Sequence, residues 1–63
     1  MKDYVRDKIN RLEEIRKNKG MTIQEFAEEE LSITRQSYYN WKDGQNPNLE
    51  NFQLIKDYLY KEE

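Results

Sequence analysis

The chain has 63 residues, 38% of them charged, with a net charge of -2 and neither cysteine nor histidine. That composition excludes a disulfide framework and a zinc staple, and leaves stability to apolar packing and helix capping. No apolar run approaches the roughly 20 residues of a membrane span, and Met1-Lys2-Asp3 lacks the apolar core of a secretory signal; one soluble, cytoplasmic domain over residues 1–63 is expected.

Four helices follow in chain order. The first begins near Asp3 and sets Val5, Ile9, Leu12 and Ile15 or Arg16 at spacings of three and four. Basic residues in its last turn and Gly20 just beyond are its stop signal. The second opens on a capping box, Thr22 with Glu25 three residues later, and places Ile23, Phe26, Ala27 and Leu31 on one face with Glu28, Glu29 and Glu30 toward solvent. The third takes Thr34 as its N-cap and runs to about Asp43, with Tyr38 and Trp41 inward and Gly44 at its end. Asn48 caps a fourth that carries Leu49, Phe52, Ile55 and Leu59 and frays within residues 60–63. Phe26, Tyr38, Trp41 and Phe52 read as core, and Tyr4, Tyr58 and Tyr60 as packing near the chain ends or, alternatively, as a partner surface. The fold class is all-α, a compact four-helix domain, with a fifth helix left open.

Charge is unevenly spread. Residues 1–20 carry seven basic and four acidic side chains, residues 21–33 four acidic and none basic, and residues 49–63 four acidic and two basic. The run Glu28-Glu29-Glu30 is a solvated face; successive helical positions diverge by about 100° and do not converge on a metal ion. Without His, Cys or a Gly-rich phosphate loop, catalysis finds no support, and no cofactor or small-molecule ligand is evident.

Residues 22–43 have the layout of a DNA-binding helix-turn-helix, two short helices around a tight turn. Ile9, Leu12, Ile15, Arg16, Lys19-Gly20-Met21-Thr22, Phe26-Ala27, Ile33-Thr34-Arg35, Tyr38, Trp41, Gly44, Pro47 and Leu49-Glu50 extend the pattern. With these marks the chain resembles the Cro/phage-repressor-like (XRE-type, lambda-repressor-like) helix-turn-helix family over about residues 9–59. It departs from that pattern in the turn: Ala27 is followed by one residue more than usual, and without the turn glycine, so that helix two is extended or the turn looser. Ile23 stands where a phosphate-binding Gln is frequent, with Gln24 one step later. Lys42 stands where a Glu usually pairs with the helix-one Arg, here Arg16; that pair is expected to be absent and Lys42 free for phosphate.

The resemblance implies a small sequence-specific DNA-binding transcriptional regulator, a repressor of the phage or mobile-element kind, reading the major groove of an operator with helix three (about 34–43). Arg35, Gln36, Tyr39 and Asn40 are the candidate base contacts: Arg35 suits guanine, Gln36 or Asn40 adenine, and Tyr39 a thymine methyl or a phosphate. Gln24, Ser37, Lys42, Gln45, Asn46 and Asn48 are the candidate phosphate contacts. Asp43 would repel phosphate. Few cations are available, so a homodimer on double-stranded DNA is the expected binding form. The acidic total, Ile23, Asp43 and Lys42 motivate the alternative, a protein-interaction module on a helix-turn-helix scaffold that no longer binds DNA.

Overall fold

The computed structural model describes residues 2–62, and among these the chain forms four helices and no strand. The first, α1, spans Asp3–Lys19 and buries Val5, Ile9, Leu12 and Ile15, the stripe its spacing sets. Gly20 ends it at φ 69°, where the Gly20 N–H donates to the Lys17 carbonyl (3.1 Å) and the Met21 N–H to that of Arg16 (3.2 Å). Such a closure needs a left-handed residue, which glycine supplies without a Cβ clash.

The second helix, α2, covers residues 23–30. Both arms of its capping box form: the Glu25 N–H donates to Thr22 Oγ1 (3.1 Å) and the Thr22 N–H to Glu25 Oε1 (2.9 Å). Over Phe26–Glu30 the winding is that of a π-helix, and the Leu31 N–H reaches five residues back to the Phe26 carbonyl (3.2 Å). A π turn holds about one residue more than an α turn. The surplus residue after Ala27 is therefore stored inside the helix rather than in a looser turn. Ser32 then adopts the left-handed conformation, φ 56°, and the Ile33 N–H returns to the Ala27 carbonyl (2.9 Å). A residue with a Cβ pays about 1 kcal/mol there, where glycine would pay nothing.

The widened turn also corrects the expected fate of Glu30. Glu28 and Glu29 are exposed, but Glu30 is half-buried, accepting from Lys19 Nζ (2.7 Å) and from the Tyr58 hydroxyl (3.0 Å). Those bonds hold its carboxyl below the ordinary value, with Lys19 the largest cause.

The third helix, α3, spans Arg35–Lys42 and starts on Thr34, whose Oγ1 accepts from the Ser37 N–H (3.2 Å). It ends at Gly44, φ 107°, with the Gln45 N–H on the Asn40 carbonyl (2.9 Å). The fourth, α4, spans Leu49–Glu62; Asn48 Oδ1 accepts from the Asn51 N–H (2.7 Å). Ile55 and Leu59 are buried and Phe52 half-buried. Leu49 is a correction, being 85% exposed: as the first helical residue it projects back past the helix end, beyond the layer it was expected to join. The expected fraying is corrected too. The helix is intact through Glu62, whose Oε1 accepts from Lys19 Nζ (2.8 Å); Glu63 lies outside the described residues.

In the centre, the Phe26 ring meets Tyr38 and Tyr58 edge-on, with centroids 6.0 and 5.6 Å apart. Tyr58 thus packs as expected. Tyr4 is mostly exposed, with an edge contact to Phe52 (5.9 Å), and Tyr60, 87% exposed, does not join the packing. α1 packs on α4 and α2 on α3, which sets α3 with one face inward and one outward. No helix among the described residues is long and apolar enough to cross a membrane.

Candidate nucleic-acid interface

Tyr38 and Trp41 fix the rotation of α3 about its axis. Tyr38 is fully buried and Trp41 is 4% exposed, so the residues on the opposite side must face outward. Arg35 and Gln36 are exposed, Tyr39 is 46% exposed and Asn40 half-buried. Two hydrogen bonds order this face. Arg35 Nη1 donates to Gln24 Oε1 (2.9 Å), tying the first turn of α3 to the start of α2, and Gln36 Nε2 donates to Asn40 Oδ1 (3.0 Å). α3 itself carries no acidic side chain.

Behind this face stands Glu13 of α1. It accepts from Arg16 Nε (2.7 Å) and Nη2 (3.2 Å) and from the Tyr38 hydroxyl (2.8 Å), and forms a 2.8 Å ion pair with Lys42 Nζ. Burial alone would raise its pKa, but the bonds from Arg16, Lys42 and Tyr38 outweigh it and bring the carboxyl from 4.5 down to about 2. The Tyr38 phenol is pushed up, first by burial and then by Glu13. Arg16 also donates from Nη1 to the Met21 carbonyl (2.9 Å), locking α1 to the segment that leads into α2.

The pair between Arg16 and residue 42 is absent, as expected, and Arg16 bonds instead to Glu13 on its own helix. One expectation is corrected here. Lys42 is not free: the same Glu13 holds its ammonium, although the lysine side chain remains 37% exposed. The Glu13–Lys42 pair links the end of α3 to α1.

The other phosphate candidates divide by their surroundings. Gln24, Gln45, Asn46 and Asn48 are exposed, with the Gln24 oxygen engaged by Arg35 and the Asn48 oxygen by its cap. Ser37 is half-buried, and its hydroxyl lies 3.0 Å from Thr34 Oγ1, inside the cap rather than beyond it. At the start of α2 the capping carboxylate of Glu25, lowered in pKa by the Thr22 amide, already sits among the donors an anion would use. Glu13 is a functional residue outside the candidate set, and its spacing of three from Arg16 on one helix is the sequence signal for it. Among the described residues no cluster of three or more acidic side chains is placed to hold a metal ion.

Two short helices around a tight turn, backed by two longer helices and presenting one polar helix face, define an all-α helix-turn-helix domain. Residues 9–61 match the family model described as a helix-turn-helix domain, and the chain belongs to that family. No curated protein and no solved structure matches the chain.

Proposed function

We propose that this chain is a sequence-specific reader of double-stranded DNA, a transcriptional repressor of the Cro/phage-repressor-like (XRE-type) kind found in phages and mobile elements. It acts in the cytoplasm by occupying an operator. The observation that carries this reading is the outward face of α3: Arg35, Gln36, Tyr39 and Asn40 share one side of a rigidly seated helix, free of acidic groups. In the major groove Arg35 would fork onto guanine, Gln36 or Asn40 would pair with adenine, and Tyr39 would touch a thymine methyl or a phosphate. Gln24, Gln45, Asn46, Asn48 and Lys42 flank that face as phosphate contacts, and Ser37 contributes through the cap that sets the first turn of α3.

The acidic total and the Glu25 carboxylate at the start of α2 favour a second reading, a protein-binding module that has given up DNA. Selection from a randomised duplex pool at two salt concentrations separates the two. Under the first reading one sequence enriches, and Arg35→Ala relaxes preference at one base position by about 1–3 kcal/mol. If nothing enriches and weak binding disappears at moderate salt, DNA reading is refuted.

A further inference from the structure

We infer that the cleft between α1 and the last turn of α3 seats a backbone phosphate of the bound duplex, held by Arg6 and Asn10 of α1 together with Lys42 of α3. This rests on the reading of α3 as the DNA-reading helix and adds α1 to it as an anchoring element. The basic excess of residues 1–20 has no part in the face described above, and the structure sorts it by direction. Arg16 is taken up by Glu13, and Lys19 by Glu30 and Glu62. Lys8 and Arg11 lie beside Asp7 and Leu59, on the α4 flank of the helix.

Arg6 falls on the opposite flank. It lines a cleft of about 70 Å³ with Ile9, Asn10, Glu13, Trp41 and Lys42, is exposed, and has no salt-bridge partner among the described residues. Arg6 and Lys42 line the cleft together with a single carboxylate, Glu13, that is already bonded to Arg16, Lys42 and Tyr38. The side chains lining the cleft carry one positive charge in excess, Arg6 and Lys42 against Glu13, with Asp43 next to Lys42 in the chain but outside the lining. A phosphate there meets the planar fork of Arg6, the amide of Asn10 and the point charge of Lys42, a donor set suited to a tetrahedral oxyanion. It also lies away from the start of α2, where Glu25 occupies the anion position.

Salt titration of duplex binding by the full chain tests the seat, with Lys8→Gln as a charge-matched control on the other flank. Arg6→Gln should lower the magnitude of the slope of log K against log salt by about 0.9, so that the affinity lost between about 50 and 200 mM salt shrinks roughly threefold. Arg6→Lys should keep most of the slope, Lys8→Gln should leave it unchanged, and the selected sequence should be the same for all. Circular dichroism and Trp41 emission of each variant establish that it is folded. Equal slopes for Arg6→Gln and the parent chain overturn the seat, as does an equal drop for Lys8→Gln, which would show diffuse charge. If the parent chain enriches a sequence that Arg35→Ala no longer prefers while Arg6→Gln changes nothing, the seat alone is wrong. If the parent chain binds no duplex, both inferences fall.

Discussion

Glu13 accepts from Arg16 and Tyr38 and pairs with Lys42 at once, so one carboxylate joins the helix behind to the helix that would read DNA. Its ionisation is coupled to folding. The folded carboxyl titrates near 2 and the unbonded one near 4.5, so on acidification the unfolded chain takes up the proton first. The contribution is fully present above about pH 4.5 and drains away as the pH falls toward 2. Its ceiling is about 3 kcal/mol, lowered by solvent screening at the Lys42 end, where the side chain is 37% exposed. Glu13→Gln should therefore cost about 1–3 kcal/mol at neutral pH, and its deficit against the parent chain should narrow as the pH is lowered from 5 toward 2. Denaturant unfolding followed by Trp41, the single tryptophan and 4% exposed, measures both. A deficit constant with pH would mean that the carboxylate charge is not what Glu13 contributes.

At the scale of the element, α2 shows how a helix absorbs an insertion. Leu31 bonds to Phe26 five residues back, and Ile33 to Ala27 six back, each one more than an α-helix with a glycine-type closure requires. Deleting the exposed Glu29 would turn both into the ordinary spacings while leaving Phe26, Ala27, Glu30 and Leu31 facing their present partners. We expect that deletion to keep the fold, with helical circular dichroism preserved and stability within about 1 kcal/mol of the parent chain. Deleting Asn10 from α1 instead should rotate the buried stripe by about 100° and unfold the chain. If both deletions unfold, the π turn is not a stored insertion. The same contrast shows what the sequence could reveal. Stripes such as Val5, Ile9, Leu12 and Ile15 and caps such as Thr22, Thr34, Asn48 and Gly44 depend on neighbours within a turn, and all were readable. The outward set Arg35, Gln36 and Tyr39 followed by elimination from the inward Tyr38 and Trp41. The links from Glu13 to Lys42 and from Lys19 to Glu30 and Glu62 join residues far apart in sequence, and helical periodicity carries no information about them. Glu30 was misplaced because a period of 3.6 fails across a π turn, and Leu49 because a helix's first residue lies beyond the layer its stripe points to.

For the whole molecule, size and charge together bear on how many copies occupy a site. The Cα envelope measures 27 × 25 × 17 Å, and two half-sites one DNA turn apart are separated by about 34 Å. Two copies can therefore sit side by side on one face of a duplex without overlapping, with a gap that surface side chains from both nearly fill. On the proposed reading each copy would offer Lys42 and, with the proposed seat, Arg6 as cationic phosphate contacts, with Arg35 directed to a base edge. Two such contacts give a salt slope of only about -2 for one copy, too little for tight binding at physiological ionic strength. Pairing on a two-fold site doubles the contacts without altering the chain. A duplex with two half-sites about 10 base pairs apart should accordingly bind two copies with about twice the slope seen on a single half-site, and adding about 5 base pairs between them should remove the gain by placing the copies on opposite faces. Stoichiometry from sedimentation, with titrations on the three duplexes, decides the point: equal affinity and equal slope on all three would mean that the chain reads DNA as a single copy.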